Sequence, residues 1–317
     1  MTTRPHRRRA SDPTGLHLTR RGALALGGLG LAAAGGVGLG VRALGGDGPI
    51  GAIGEPADPA RPTGRPACVD AGDLPIQKTL GGAPLIYDIS GDPSDFHVDT
   101  AFHDQLEAWL PKHVAESGLG APAQVWTFGT WIDGTQSASD SSGRTATPAA
   151  GESTCTSWHN AGRALDLSRL VAGDGTVLVS CRYDLWSRLP DEQMVPIRTA
   201  YWRTAAGLHR DFDSVLTYLF DDLHHNHIHI DNGHIHIDNG LLDGRGSEFR
   251  TRSAVQVQAV QAMCTYVWGR PVDLSGDWDR ATRAATQQVL AEMGVGGRLT
   301  DGTTAWQGFL TATLRRA

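Results

Sequence analysis

Apolar positions recur at helical spacing in Phe102, Leu106, Trp109, Leu110 and His113, which predicts a helix from Phe102 to Glu116 ending near Ser117-Gly118. Pro111 falls inside that run and is expected to kink the helix or end it early. Gln124 to Ile132 (QVWTFGTWI) is aromatic and β-branched and predicts a strand, whereas Ser137 to Gly151 is small, polar and Pro-containing and predicts a loop. Arg163 to Leu170 and Thr176 to Arg182 are short elements separated by the turn residues Ala172-Gly173-Asp174-Gly175. Trp202, Ala206, Phe212, Val215, Leu216 and Leu219 predict one or two core-packed helices over Thr199 to Phe220, and a His-rich strand region follows at 224–240. The last stretch, 253–317, reads as three helices. One is marked by Val255, Val257, Val260, Met263 and Val267, and the others span Asp279 to Met293 and Thr304 to Leu314.

The N-terminal apolar run is of another kind. Gly22 to Val41 is rich in Gly and Ala and follows Thr19-Arg20-Arg21. A twin arginine before a weakly apolar stretch resembles a Tat export signal, so residues 1–46 are expected to be a targeting segment recognised by the Tat machinery. The rival reading is a membrane-spanning helix of about 20 residues, which so many glycines would make weakly apolar. Residues 47–67 carry seven Pro and Gly positions of note, from Pro49 to Pro66, and read as a linker. The protein is therefore expected outside the cytoplasm, in the cell wall, periplasm or medium, and tethered to the membrane if the signal stays uncleaved.

Charge sharpens this division. The chain has a formal net charge of −6, yet residues 1–46 hold seven arginines and only Asp12. The remainder has 21 basic against 33 acidic groups, a net of −12, which argues against nucleic acid as a partner. Four cysteines, Cys68, Cys155, Cys181 and Cys264, suit disulfides in an exported protein. Cys155 and Cys181 bracket the first candidate ligand segment and are the favoured pair, which leaves Cys68 with Cys264. The absence of any Cys-x-x-Cys spacing speaks against a cysteine zinc site.

Within 253–317, Gln261, Gly276, Trp278, Thr282 and Trp306 fall in step with a pattern that resembles peptidoglycan-binding-like domains, although Trp stands where that family usually has Phe. The resemblance covers about 60 residues and implies a small three-helix domain that binds the cell wall. An unrelated three-helix cap is the plain alternative.

The sharpest motif is Ser157-Trp158-His159-Asn160-Ala161-Gly162-Arg163-Ala164-Leu165-Asp166, of the form Ser-x-His-x-x-Gly-x-Ala-x-Asp. With a downstream His-x-His it resembles the superfamily of D-alanyl-D-alanine peptidases, lysostaphin-type enzymes and hedgehog zinc domains, and within it the extensin-like C-terminal domains. The resemblance implies an α+β domain at 68–250, with an antiparallel sheet bearing the site and helices on one side. It also implies one Zn2+ ion per chain held by His159, Asp166 and His229, with His227 assisting the transition state. Three N/O ligands leave a fourth position for water, as in catalytic rather than structural zinc sites. Gly162 would let the backbone pass close, and Ala164 and Leu165 would pack behind the site.

The seven residues HIHIDNG occur twice without mismatch, at 227–233 and 234–240. The first copy has the family-like context, with His224 three residues before His227, and His234 and His236 form the alternative copy. Asn232-Gly233 is a hairpin signal that would set His229 opposite His236 and turn the four isoleucines to the core. A slipped duplication carried as a loop is the bland reading.

Two features depart from the family. Phe128-Gly129-Thr130-Trp131-Ile132 has no Arg where related peptidases hold a substrate carboxylate, and Arg144 or Arg163 are substitutes that nothing local specifies. No dedicated carboxylate base stands out beyond Asp221 and Asp222. The reading is thus a zinc metallopeptidase of the carboxypeptidase or endopeptidase type acting on peptidoglycan stem peptides. Its alternative is a noncatalytic, zinc-stabilised wall-binding protein. A metal-sequestering His tract is a third, weaker possibility.

Overall fold

A computed structural model describes residues 68–133, 155, 157–212, 214–232 and 247–317. The export segment 1–46, the linker 47–67, the expected loop at Ser137 to Gly151, Arg144 and the second HIHIDNG copy with His234 and His236 lie outside the described residues, as does the Gly233 half of the expected turn.

The fold is mixed α+β. After a single turn at Ala71–Asp73, the two-residue strand β1 (Ile76–Gln77) pairs with β5 (Phe96–His97). Between them run β2 (Thr79–Leu80), β3 (Ala83–Tyr87) and β4 (Asp92–Pro93). The first long helix, α1 (Thr100–Ser117), connects them to β6 (Gln124–Thr127). Next come β7 (Ala164–Val171), β8 (Val177–Ser180), a single-turn helix α2 (Tyr183–Trp186) and α3 (Asp191–Asp211). The segment closes with β9 (Ser214–Leu216) and β10 (Ile228–Asp231). Eight of these strands form one sheet in the order β2-β3-β6-β7-β10-β9, with β4 beside β3 and β8 beside β7.

This sheet is mixed, not purely antiparallel as expected, because β3 and β6 are parallel. The 36 residues between them include α1, enough for the crossover that a parallel pair requires. The strands that carry the site, β7 and β10, are antiparallel. β7 faces β6 along one edge, and its other edge is shared by β10 near residues 164–167 and by β8 near 169–171.

Several expected elements change length for reasons visible in the packing. Pro111 does not end α1: it sits on the exposed side, where water can satisfy the freed carbonyl, while Trp109, Leu110 and His113 hold the helix to the core. The strand from Gln124 stops at Thr127, where the register shifts and Phe128 and Gly129 clasp the backbone of Asp166 from both sides. The helix over Thr199 begins earlier, at Asp191, and ends at Asp211; Val215 then joins β9 because it pairs with Ile230. Tertiary pairing overrides local periodicity there.

The three C-terminal helices are α4 (Ala254–Tyr266), α5 (Arg280–Glu292) and α6 (Thr303–Arg315). Gln261, buried at the centre, donates to Asp277 O and Thr282 Oγ1 and accepts from the Gly276 amide, so three of the five motif positions, Gln261, Gly276 and Thr282, share one internal network. Gly207 on α3 packs against Leu314 of α6, whose methyls lie 3.4–3.5 Å from the position of a Cβ, at ordinary contact distance. Trp306 is fully buried, donates to Ser247 Oγ and meets His209 of α3 edge-on. The core is thereby continuous from Leu165, Leu167, Ile228 and Ile230 on the sheet, through Trp109 and Trp202, to Phe309 and Leu310. No helix among the described residues is long and apolar enough to cross a membrane.

The favoured disulfide pairing is corrected. Cys68 is bonded to Cys155, and Cys181 and Cys264 are free and buried. Cys181 follows the end of β8 inside the core, its amide bound to Ser168 O. Cys68 instead lies beside that loop, because the amide of Val69 donates to Asn160 O. Bracketing in sequence did not translate into proximity.

Candidate metal centre

His159 stands on a single 3-10 turn, Trp158–Ala161. Ser157 opens it with a reciprocal cap: its hydroxyl accepts from the His159 amide, and Asn160 Oδ1 accepts from the Ser157 amide. Gly162 closes it in the left-handed region, at φ 65°. A Cβ there would lie 2.6 Å from Leu74 Cδ1 and 3.1 Å from the Asp99 amide nitrogen, so only glycine fits both the angle and the space. The chain then enters β7. Leu165 and Leu167 point to the core and Asp166 points to the opposite face, as alternation requires.

β10 supplies the other half. Ile228 and Ile230 are fully buried, which turns His229 to the face of Asp166, its direct partner in the register. Sequence reasoning placed these residues together, and the fold brings them within bonding range. His159 Nε2 is 3.1 Å from Asp166 Oδ1 and 3.1 Å from His229 Nδ1, and the third side, His229 Nδ1 to Asp166 Oδ1, is 3.0 Å. His227, in extended backbone just before β10, adds Nε2 at 3.3 Å from the same Asp166 oxygen.

This donor triangle can be tested against a metal ion. A point about 2.1 Å from all three atoms exists about 1 Å off their plane, and tetrahedral zinc would set the atoms roughly 3.3 Å apart, slightly wider than observed. Three acceptor-capable atoms crowded at 3 Å require a shared cation, whether a proton or a metal, to offset their repulsion. When no metal is bound, that cation is a proton. Burial opposes charge on His229, but hydrogen bonds to Asp166 and Asp231 outweigh it and lift the imidazole to about 10. Burial likewise opposes ionisation of Asp166, yet His159, His229 and His227 hold its carboxyl well below the usual range. The residues fit a divalent ion.

Outer partners orient these rings. Asp231, two residues beyond His229 on the same face, receives its Nε2–H at 3.0 Å, which makes Nδ1 the nitrogen that gives up its proton to a metal ion. Sequence reasoning missed this role, although an acid at i+2 from a ligand in a strand was a readable signal. His227 Nδ1 donates to Asn226 Oδ1 at 2.6 Å, leaving Nε2 to face the site. Burial, followed by the neighbouring imidazoles, drives His227 down to about 4 despite Asp166, so it is neutral near pH 7.

The remaining candidates are otherwise engaged. Arg163 donates to the Oδ1 and backbone oxygen of Asn232 and stacks on Trp158, bracing the turn and the end of β10. Asp221 caps the 3-10 turn Asp222–Asn226 and accepts from His224 Nδ1 at 2.6 Å, while Asp222 is exposed and lies 3.4 Å from His225 Nε2. Neither acid reaches the triangle directly.

Compared with family models, curated proteins and solved structures, the chain matches none of them.

Proposed function

We propose that the protein is a zinc-dependent hydrolase of amide bonds in peptidoglycan stem peptides, exported by a Tat-type signal, with the C-terminal helices holding it on the wall. The single observation that carries this reading is the convergence of His159 Nε2, Asp166 Oδ1 and His229 Nδ1, with His227 Nε2 3.3 Å from that same carboxylate oxygen. Three protein ligands of N and O type leave a fourth position open, the pattern of catalytic zinc. The likeness of the two motifs to the extensin-like and D-alanyl-D-alanine peptidase group supports both the zinc and the α+β peptidase fold. A bound zinc ion supplies a Lewis acid that activates water at neutral pH and polarises the scissile carbonyl.

The chain's own residues supply the rest. His159, Asp166 and His229 orient the reacting groups, and Asp231 keeps His229 in the tautomer that this requires. Neutral His227, its Nδ1–H held by Asn226, offers a lone pair on Nε2 to take the proton lost by water as oxygen adds to the carbonyl carbon. The same proton then passes from His227 to the departing amine nitrogen as the C–N bond breaks, giving a free amine and a carboxylic acid, which loses its remaining proton to water. Release of peptides from purified peptidoglycan by the zinc-loaded protein tests this. Wild type is expected to release peptides at a rate at least about 100-fold above His227→Ala, the usual scale for a lost general acid–base. Equal release by both, or none by wild type, overturns the catalytic reading.

A second reading has its own observation. His224 and His227 both offer nitrogens near His229. An ion that took a fourth protein ligand from them would be closed to substrate, as in a structural site, and the protein would be a noncatalytic, zinc-stabilised wall binder.

A further inference from the structure

His224, His227 and His229 come from one six-residue stretch, and each has one ring nitrogen facing an oxygen that can only accept. Asp221 Oδ1 takes the proton of His224 Nδ1 at 2.6 Å, Asn226 Oδ1 that of His227 Nδ1 at 2.6 Å, and Asp231 Oδ2 that of His229 Nε2 at 3.0 Å. That leaves His224 Nε2, His227 Nε2 and His229 Nδ1 as the nitrogens open to a metal ion, which would displace the proton from His229 Nδ1. The three histidines offer ligand atoms within 4.8 Å of one another. Aromatic neighbours hold the outer rings: Phe220 meets His224 edge-on at 5.2 Å, and Phe128 lies 6.1 Å from His227. Three imidazoles whose ligand atoms lie this close, each ring held through its other nitrogen, form a donor set for one cation, which takes the place of the second proton on His229.

We infer that His224, His227 and His229 form a second, outer position for the metal ion, alternative to the inner one made by His159, Asp166 and His229. The inference rests on the metal reading given above and adds His224 to it. Both positions use His229 Nδ1, and one lone pair binds one ion, so they are occupied in turn and never together. The inner position contains a carboxylate and holds a dication more strongly. The outer one, with three neutral imidazoles, takes borderline ions such as Zn2+, Co2+, Ni2+ or Cu2+ and rejects Mg2+ and Ca2+. An ion in the outer position occupies His227 Nε2, the atom assigned to proton transfer, so that state is inactive.

Cobalt(II) titration of the full chain, followed by its visible absorption, reads the two positions without reference to activity. Wild type is expected to bind one Co2+, and His224→Ala to bind one with the same spectrum. Asp166→Asn and His159→Ala, each of which breaks only the inner set, are expected to bind one Co2+ still, with an altered spectrum. Adding His224→Ala to either is expected to weaken binding by more than the roughly 10–100-fold that loss of an outer partner brings. Circular dichroism identifies a variant that fails to fold, and the other inner-set variant then decides. If both folded inner-set variants bind no Co2+, or if adding His224→Ala leaves their binding unchanged, the outer position is overturned and the inner metal centre stands. If wild type itself binds no Co2+, both fall.

Discussion

Asp166 on β7 and His229 on β10 are direct partners across an antiparallel pair, and Asp166 Oδ1 lies 3.0 Å from His229 Nδ1. Directly opposed side chains in such a pair are the closest neighbours a sheet offers. A slip of one residue would swap His229 for a buried isoleucine, so the apolar faces of both strands guard the register. A metal ion held by this pair is expected to be coupled to folding. Zinc at about 1,000 times its Kd is expected to stabilise the chelator-treated protein by about 4 kcal/mol. Asp166→Ala should lose most of that gain in a thermal melt, and an equal zinc-induced rise in the variant would count against the site.

Asp231 is the outer partner of His229. Asp231→Asn keeps the size of the side chain and weakens the acceptor, so it is expected to lower zinc affinity roughly 10–100-fold with the fold intact. Competition with a chromophoric chelator measures this, and an unchanged affinity would remove Asp231 from the site.

Gly162 links the turn of His159 to the strand of Asp166. Replacing it by Ala forces a side chain into left-handed backbone and against Leu74 and the Asp99 amide. We expect a loss of about 2–3 kcal/mol in urea unfolding, from backbone strain with added overlap. Because the turn carries His159, metal affinity should fall as well; a stable variant with normal affinity would contradict the geometry.

The cysteine pattern makes a count. Denatured without reductant, the protein should show two reactive thiols, Cys181 and Cys264, and the native protein none that react quickly. Burial pushes both thiols up, Cys264 to about 12, so neither forms a thiolate readily. Breaking Cys68–Cys155, which closes a separation of 87 residues, is expected to cost about 2–4 kcal/mol. Peptide mapping that found Cys155 joined to Cys181 would refute the assignment.

Two histidines remote from the metal centre set an acid limit. Burial drives His113 to about 4 and His209 to about 3, and neither ring has a hydrogen-bond partner among the described residues. Below pH 6.5 the unfolded chain takes up protons that these folded rings refuse, so stability rises with pH across that interval and falls as pH is lowered. Each should contribute a loss of about 2 kcal/mol between pH 6.5 and pH 5, with His113 saturating near pH 4 and His209 near pH 3. Urea midpoints across this range, compared with a His209→Leu variant, test it; a variant with the same acid slope as wild type would exclude His209.

Much of the candidate site was legible in the chain itself. The turn, glycine and strand that join His159 to Asp166 are decided within ten residues by capping, a left-handed glycine and alternation. The isoleucines of β10 likewise announce which way His227 and His229 face. The three C-terminal helices could be read from apolar periodicity alone, to within a residue or two at each end.

Other features depended on distant partners. Whether Val215 continues a helix or joins a sheet turns on Ile230 across the strand pair, and whether β3 and β6 run parallel turns on the path of α1. Cys68 reaches Cys155 only because Val69 is bonded to Asn160, and Asp231 becomes a support for His229 only once β10 is a strand. Local backbone preference and side-chain period act over a few residues, and the chain carries them openly. Long-range pairing is a competition among burial surfaces, and only the assembled core selects its outcome.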